Sequence, residues 1–380
     1  MAESIKARAI VSHGPNVHDD WKLEEVSTLP DVKDDEILVE MVASGICHTD
    51  VFLGTAPPDS PLALYPRIVG HEGSGYARYI GRSVQGISVG DPVLLSYTYC
   101  ASCRSCEAQH LSYCEQFIPL NFFGRPTFKD GKGKEIPGSF FGQSSFASWS
   151  VVKGSSAVNV KGIVQDKKEL ALFAPLGCGV QTGSGTVVNA AGAGEKDVVV
   201  VTGLGGVGLS AIMGAKIVGA RIIVGIDRVK KRLDMAKELG ATHVIDSSSL
   251  EEGKTLSDVV KEICDGVGPT LAVETTGVPA LIKACIDFTR IKGQVLQVGS
   301  APTDFQLELN AFGFMPTGKT YRGVIEGESF APEYVPKMIQ WYREGRFPID
   351  KFSKFMDAAE FQKGLHEMHT GVTIKPILLW

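Results

Sequence analysis

Val198-Val199-Val200-Val201-Thr202-Gly203-Leu204-Gly205-Gly206-Val207-Gly208 is the stretch whose reading decides the fold. The valine run suits a strand buried on both faces, and the G-x-G-x-x-G that follows it directly opens a helical stretch. Gly203 allows a tight turn, Gly205 lets the backbone approach a pyrophosphate, and Gly208 permits close helix–strand packing, with the helix amino terminus facing the phosphates. In a chain with 43 glycines the pattern alone is weak, and a purely structural turn is the rival. The strand before it, the helix after it and an acid beyond it carry the reading. That acid is Asp227, 19 residues after Gly208 at the end of the next strand. Its carboxylate suits ribose hydroxyls and repels a 2′-phosphate, so NAD is expected over NADP. Arg228 beside it offsets part of that repulsion if its guanidinium turns inward.

Outward from this loop, the sequence predicts strands at Arg221–Ile226, His243–Ile245, Leu271–Glu274 and Gln294–Val298. Helices are predicted between them at Val207–Val218, Lys230–Leu239, Leu256–Cys264 and Ala280–Phe288. Repeated βα units at this spacing indicate an α/β fold with a doubly wound parallel sheet. The first third reads differently, as short β segments punctuated by glycine (Ile37–Val42, Gly73–Ile80, Val93–Leu95), which suggests a small barrel or sandwich. Cys114–Phe146 is a long excursion of little periodicity, expected to cover a site or an interface. Ala171–Asn189 has helical spacing, and a helix at Pro332–Tyr342 and a strand at Thr373–Leu379 close the chain. A two-domain division results: residues 1–179 completed by 325–380, and 180–324.

The chain has 380 residues, and its 38 Lys+Arg against 43 Asp+Glu leave a net charge of -5. That length suits two domains, since single cores stop growing at about 250–300 residues. The basic excess of a nucleic-acid binder is missing. Neither a secretory apolar core near Glu3, Lys6 and Arg8 nor a membrane-length apolar run is found, so a cytoplasmic protein is expected. In a reducing compartment, clustered cysteines point to metal or redox chemistry. Four of the eight cysteines form Cys100-x2-Cys103-x2-Cys106-x7-Cys114. One loop of this spacing wraps a single tetrahedral zinc. An iron–sulfur cluster is the rival, but its motif continues x3-C-P, whereas Cys114 follows a longer gap and precedes Glu115. Cys47 in Gly45-Ile46-Cys47-His48-Thr49-Asp50 and His71 in Gly70-His71-Glu72-Gly73 are also possible ligands, although spacing does not show that they meet.

With these motifs, in this order, the chain resembles the zinc-dependent medium-chain alcohol dehydrogenases over nearly its whole length. Within that family it is most similar to the aryl (benzyl) alcohol dehydrogenase branch. The stretches that carry this are Leu95–Cys100, Phe140-Phe141-Gly142-Gln143-Ser144-Ser145-Phe146-Ala147 and Leu176-Gly177-Cys178-Gly179-Val180-Gln181-Thr182-Gly183. The resemblance implies a GroES-like β-rich catalytic domain beside a Rossmann domain, two Zn2+ per chain and NAD. It implies that Cys47, His71 and Cys178 bind the catalytic zinc with an open fourth position. Asp50 would hold the far ring nitrogen of His71, and Glu72 would sit behind the metal. Thr182 and Lys375 would contact the cofactor, Lys375 standing where many relatives have arginine. His48, Gly206, Val207, Arg232 and Val298 complete the expected cofactor contacts.

The implied reaction interconverts a primary alcohol and its aldehyde. Thr49 is the candidate hydroxyl for the alcohol proton. Many family members have histidine five residues after the first cysteine ligand, and here Phe52 stands there, so protons are expected to leave by His48, the cofactor ribose or water. Phe52, Phe140 and Phe141 are either an apolar pocket for benzylic or allylic substrates or core packing. Three rivals are a glutathione-adduct formaldehyde dehydrogenase, an aldehyde or ketone reductase of specialised metabolism, and a non-catalytic protein keeping the fold. Small-molecule substrates, no nucleic acid, no membrane and a homodimer or homotetramer are the expected partners. Cys264 and Cys285 are expected as small buried apolar residues.

Overall fold

A computed structural model describes residues 4–28 and 32–380; Glu3, among the charges read at the amino terminus, lies outside them. The chain divides into two compact units, one of Met1–Cys178, Phe330–Tyr342 and Ile349–Trp380, the other of Gly179–Ser329 and Arg343–Pro348.

The first unit is β-rich. A five-stranded sheet runs in the order Arg67–Ile68, Ile5–Ser12, Trp21–Thr28, Pro126–Lys129, Glu135–Pro137. Its last two strands come from the long excursion, which is therefore partly structured. The second sheet is organised by Glu36–Gly45, a strand of ten residues, seven of them apolar or glycine and nine of the ten buried. One edge pairs antiparallel with Gly73–Ile80. The other edge is shared end to end, Trp149–Lys153 taking Glu36–Glu40 and the carboxy-terminal Lys375–Leu379 taking Ala43–Gly45. Register here places chemistry. Ser44 lies opposite Gly73, and the Gly45 amide donates to the Glu72 carbonyl at 2.9 Å, so Cys47 and His71 leave neighbouring strand ends. A one-residue slip would turn every side chain to the opposite face.

The second unit is a six-stranded parallel sheet: β1 (Val198–Thr202), β2 (Ile222–Asp227), β3 (His243–Asp246), β4 (Leu271–Glu274), β5 (Gln294–Gln297) and β6 (Thr320–Gly323). The spatial order is β3-β2-β1-β4-β5-β6, every neighbour parallel. Chain order reverses at β1, and ligands of such sheets sit at the carboxyl ends of the strands beside that reversal. All of β1 is buried, as a valine run with helices on both faces requires. Helix Lys230–Leu239 buries Leu233, Ala236 and Leu239, one amphipathic stripe. Cys264 and Cys285 are fully buried in this core.

The helical reading of Ala171–Asn189 is interrupted in the structure. A helix at Lys167–Leu172 passes through a 3-10 turn, Ala174–Gly177, to Cys178 with φ -141 and ψ -93, and only then does helix Gly179–Gly185 begin. Pro175 lacks the amide a continuing helix needs. A Cβ on Gly177 would stand 1.8 Å from the Leu95 carbonyl oxygen, so this turn packs directly on backbone. Among the described residues no helix is long and apolar enough to cross a membrane.

At the glycine loop, Gly203 has φ +85, and a Cβ on Gly208 would lie 1.7 Å from the Gly203 carbonyl oxygen. Gly208→Ala must therefore push the helix off β1. It should cost about 1–3 kcal/mol, the range for overpacking, lowering Tm in calorimetry and weakening NADH binding; an unchanged Tm would show the loop yields freely.

Candidate active site

Helix His48–Gly54 starts at Cys47, and Asp50 in its first turn organises what surrounds it. Asp50 Oδ2 accepts from the Cys47 amide at 2.9 Å, and Oδ1 accepts from the Gly70 amide at 3.0 Å and from His71 Nδ1 at 2.6 Å. Holding the proton on Nδ1 leaves the Nε2 lone pair free to ligate. Nε2 is buried with no hydrogen-bond partner, and one ligand atom each from Cys47, His71 and Cys178 lies within 4.8 Å of the others. An orphaned nitrogen between two sulfurs fits zinc, whose catalytic sites include a Cys2His set with an open fourth position. A hydrogen bond from Cys178 holds the Cys47 thiol well below its ordinary range, against burial. Burial lowers His71, but the Asp50 and Cys47 charges outweigh it and carry the imidazole well above its usual value. A metal ion at the centre displaces the proton that such a cluster would otherwise hold.

Behind the cluster, Lys375 Nζ donates to both Glu72 oxygens at 2.9 Å and to the Ile46 carbonyl at 3.1 Å. All three ammonium donors are thus engaged in this buried pair. Burial pushes Glu72 up to about 7 against the pull of Lys375. A Cβ on Gly45 would meet Glu72 Oε2 at 2.1 Å, so the carboxylate occupies the space a side chain would take.

The His71 ring is sandwiched by the excursion. Phe141 stacks on it with centroids 4.5 Å apart and planes at 26°, and Phe140 meets it edge-on at 5.5 Å. Phe140 and Phe141 are 0% and 4% exposed, whereas Phe52 is 48% exposed. Thr49 is half-buried beside Cys47 and His48 is exposed; His48 lines a groove of the first unit with His18, His366 and His369.

Cys100, Cys103, Cys106 and Cys114 form the second cluster, their sulfurs within 4.8 Å of one another. Sγ–Sγ distances of 3.9 Å (Cys100–Cys106) and 4.0 Å (Cys103–Cys114) match the edge, about 3.8 Å, of a tetrahedron with metal–sulfur bonds of about 2.3 Å. A disulfide needs about 2.05 Å, and none of the eight cysteines is in one. Backbone amides of Cys100, Ser102, Glu115 and Gln116 point at these sulfurs at 3.4–3.5 Å. Such donors favour thiolate: the Ser102 amide brings Cys100 down to about 6, while burial pushes Cys106 up to about 12.

In the second unit the space a Cβ would take at Gly205 has nothing within 4 Å, which keeps the amino terminus of helix Gly206–Ile217 open to a pyrophosphate. Asp227 Oδ2 accepts from the Leu204 amide at 2.8 Å, and Oδ1 accepts from Arg228 and Val229 at 2.8 and 2.9 Å. The carboxylate therefore also holds the glycine loop in place. Arg232, rather than adjacent Arg228, brings its guanidinium to Asp227, at 3.7 Å. Val298 is half-buried just past β5, and Thr182 donates to Glu326 at 3.3 Å.

Sequence reasoning missed Glu326, a buried acid with φ +53 that also accepts from Gln181 at 2.9 Å. It missed Arg67 too, 2% exposed with its guanidinium 5.0 Å from the Phe140 centroid. Gln143 lay inside a quoted stretch and was given no role. A polar residue amid phenylalanines was the signal for it.

A parallel sheet with a glycine loop and a sulfur–imidazole cluster able to hold a metal are features that zinc-dependent dehydrogenases combine. Residues 33–162 match the alcohol dehydrogenase GroES-like domain and residues 206–344 the zinc-binding dehydrogenase domain. Geraniol dehydrogenase of Castellaniella defragrans is 35% identical, the match covering 92% of this chain and 91% of that protein. The crystal structure of benzyl alcohol dehydrogenase from Acinetobacter calcoaceticus is 35% identical with a TM-score of 0.88, and an alcohol dehydrogenase zinc-binding domain protein from Burkholderia ambifaria is 34% identical with a TM-score of 0.91, each covering 99% of both chains. The chain belongs to the zinc-dependent medium-chain alcohol dehydrogenases, with zinc and NAD as cofactors.

Cys114→Ser should lower bound zinc by one atom per chain in elemental analysis and reduce Tm by several degrees. Zinc content equal to wild type would contradict a four-thiolate site.

Proposed function

We propose that this enzyme interconverts benzylic, allylic and other bulky primary alcohols with their aldehydes, with Cys47, His71 and Cys178 holding the catalytic zinc and Cys100, Cys103, Cys106 and Cys114 a structural one. The observation that carries this is the buried, partnerless His71 Nε2 grouped with the Cys47 and Cys178 sulfurs. When bound, zinc supplies the Lewis acidity that brings an oxygen ligand's pKa from about 15.7 toward about 7, and NAD takes up the hydride.

The chain's own residues do the rest. Asp50 fixes the His71 tautomer. Thr49, two residues from Cys47, carries the proton off the alcohol oxygen, and exposed His48 passes it to solvent where Phe52 has no proton to exchange. The Lys375–Glu72 pair neutralises a buried charge next to His71, and the helix amino terminus at Gly205–Gly208 binds the pyrophosphate. Asp227 selects the ribose hydroxyls of NAD, with Arg232 moderating its charge. The phenylalanines around His71 and the relatives named for geraniol and benzyl alcohol support an apolar, unsaturated substrate.

A panel read at 340 nm tests this. With NAD, kcat/KM for benzyl alcohol or geraniol should exceed that for ethanol by about 100-fold or more, the scale that apolar pocket contacts provide, and should exceed that with NADP. Preference for S-hydroxymethylglutathione or ethanol would overturn the substrate class.

A reducing, cytoplasmic setting agrees with eight cysteines outside any disulfide. We read a homodimer or homotetramer from the open edge of β6, which pairs only β5 among the described residues, and from Phe312 and Met315 nearby, 85% and 72% exposed. Light scattering should give a multiple of the chain mass, and Phe312→Glu with Met315→Glu should reduce it to one chain. An unchanged mass would move the interface elsewhere.

A further inference from the structure

We propose that Gln143 is a positioning residue that ties the His71 and Cys178 segments together through Ser96, so that two of the three zinc ligands are set by one buried side chain. The inference rests on the ligand set proposed above.

The loop that carries Gln143 is held in conformations that side chains rarely adopt. Ser139, Phe141 and Ser144 have φ of +59, +51 and +47. Each such residue costs about 1–3 kcal/mol and persists only where its surroundings determine it. Those surroundings are the segment leading to His71. Ser144 Oγ accepts from the Phe140 amide at 2.9 Å and donates to the Ile68 carbonyl at 2.7 Å, and the amides of Ser145 and Phe146 donate to Gly70 and Val69 at 2.9 and 3.1 Å. The same loop stacks Phe141 on the His71 ring.

Gln143, fully buried, completes the arrangement. Its Oε1 accepts from the Gly73 amide at 3.0 Å, while Nε2 donates to the His71 carbonyl and to the Ser96 carbonyl, each at 2.9 Å. Both amide protons are used, and the partners fix which end is oxygen, since an amide faces Oε1 and carbonyls face Nε2. Ser96 continues the chain, its hydroxyl donating to the Gly177 carbonyl at 2.6 Å. Gly177 in turn packs on the Leu95 backbone immediately before Cys178. Three consecutive hydrogen bonds, all between buried groups, thus connect the backbone of one ligand to the residue preceding another. Gln143, Ser96 and His71 are 0–1% exposed, so these bonds compete little with solvent. Metal sites depend on ligands held to within about 0.5 Å, and loss of such supporting bonds costs about 10–100-fold in metal affinity.

The experiment uses holoenzyme and the zinc chelator dipicolinate, with cobalt-substituted enzyme for spectroscopy. Wild type should release two zincs per chain. Gln143→Met, which keeps the shape without the hydrogen bonds, should speed release of one zinc by about 10–100-fold and leave the other at the wild-type rate, and the visible band of catalytic-site cobalt should shift. The second zinc is an internal control for general loosening. Ser96→Ala breaks the chain at its other end and should reproduce the pattern, which keeps the test decisive if Gln143→Met fails to fold. Wild-type release and spectrum in the variants would overturn the proposal, as would equal acceleration of both zincs. A wild type holding a single zinc would overturn the ligand set itself and the bracket with it.

Discussion

A buried imidazole nitrogen with nothing to bond is the constraint on which the rest of the first unit depends. Leaving such a group unsatisfied costs about 1–3 kcal/mol, and His71 Nε2 is held in that condition by design of its neighbours. Asp50 holds the other ring nitrogen, Phe140 and Phe141 pack on the ring, and the sulfurs of Cys47 and Cys178 lie within 4.8 Å of the ligating nitrogen. A metal ion bonded to Nε2, as proposed for this centre, would recover that cost.

The backbone supplies the precision. Strand Glu36–Gly45 is flanked on one edge by the strand that follows His71 and on the other by the carboxy-terminal strand that begins at Lys375. Three distant parts of the chain therefore end together because one ladder sets their register. Glycines at 45 and 177 remove side chains where Glu72 and the Leu95 carbonyl press in. In the second unit the same device recurs for another purpose: Gly203 and Gly208 let a helix close on its strand, and the open face of Gly205 leaves room for phosphate. Asp227 braces that loop, its carboxylate accepting from the Leu204 amide.

What was legible in the sequence follows from range. The parallel sheet was visible because valine runs, helical periodicity and the glycine loop are local patterns, and the four-cysteine cluster because its ligands lie within fifteen residues. Cys47, His71 and Cys178 span far greater separations, so their meeting was available only through family resemblance. Side-chain bonds made across the fold left no pattern to read. Lys375 illustrates this: the family resemblance implied a cofactor contact, while the bonds of its ammonium to Glu72 and the Ile46 carbonyl are visible only in the structure. The break before Cys178 was hidden by a helical spacing that continues across it. The Gln143 side chain left no local pattern, because its partners Gly73, His71 and Ser96 are distant in sequence.

The proposed ligand set has Cys47, His71 and Cys178 converging on one metal ion. Anomalous diffraction from crystals of the enzyme, recorded on both sides of the zinc absorption edge, tests it most directly. Two peaks per chain are predicted, one within about 2.0–2.3 Å of His71 Nε2 and the sulfurs of Cys47 and Cys178, and one among the four clustered cysteines. A chain with a peak only at the four cysteines, and none beside His71, would contradict it.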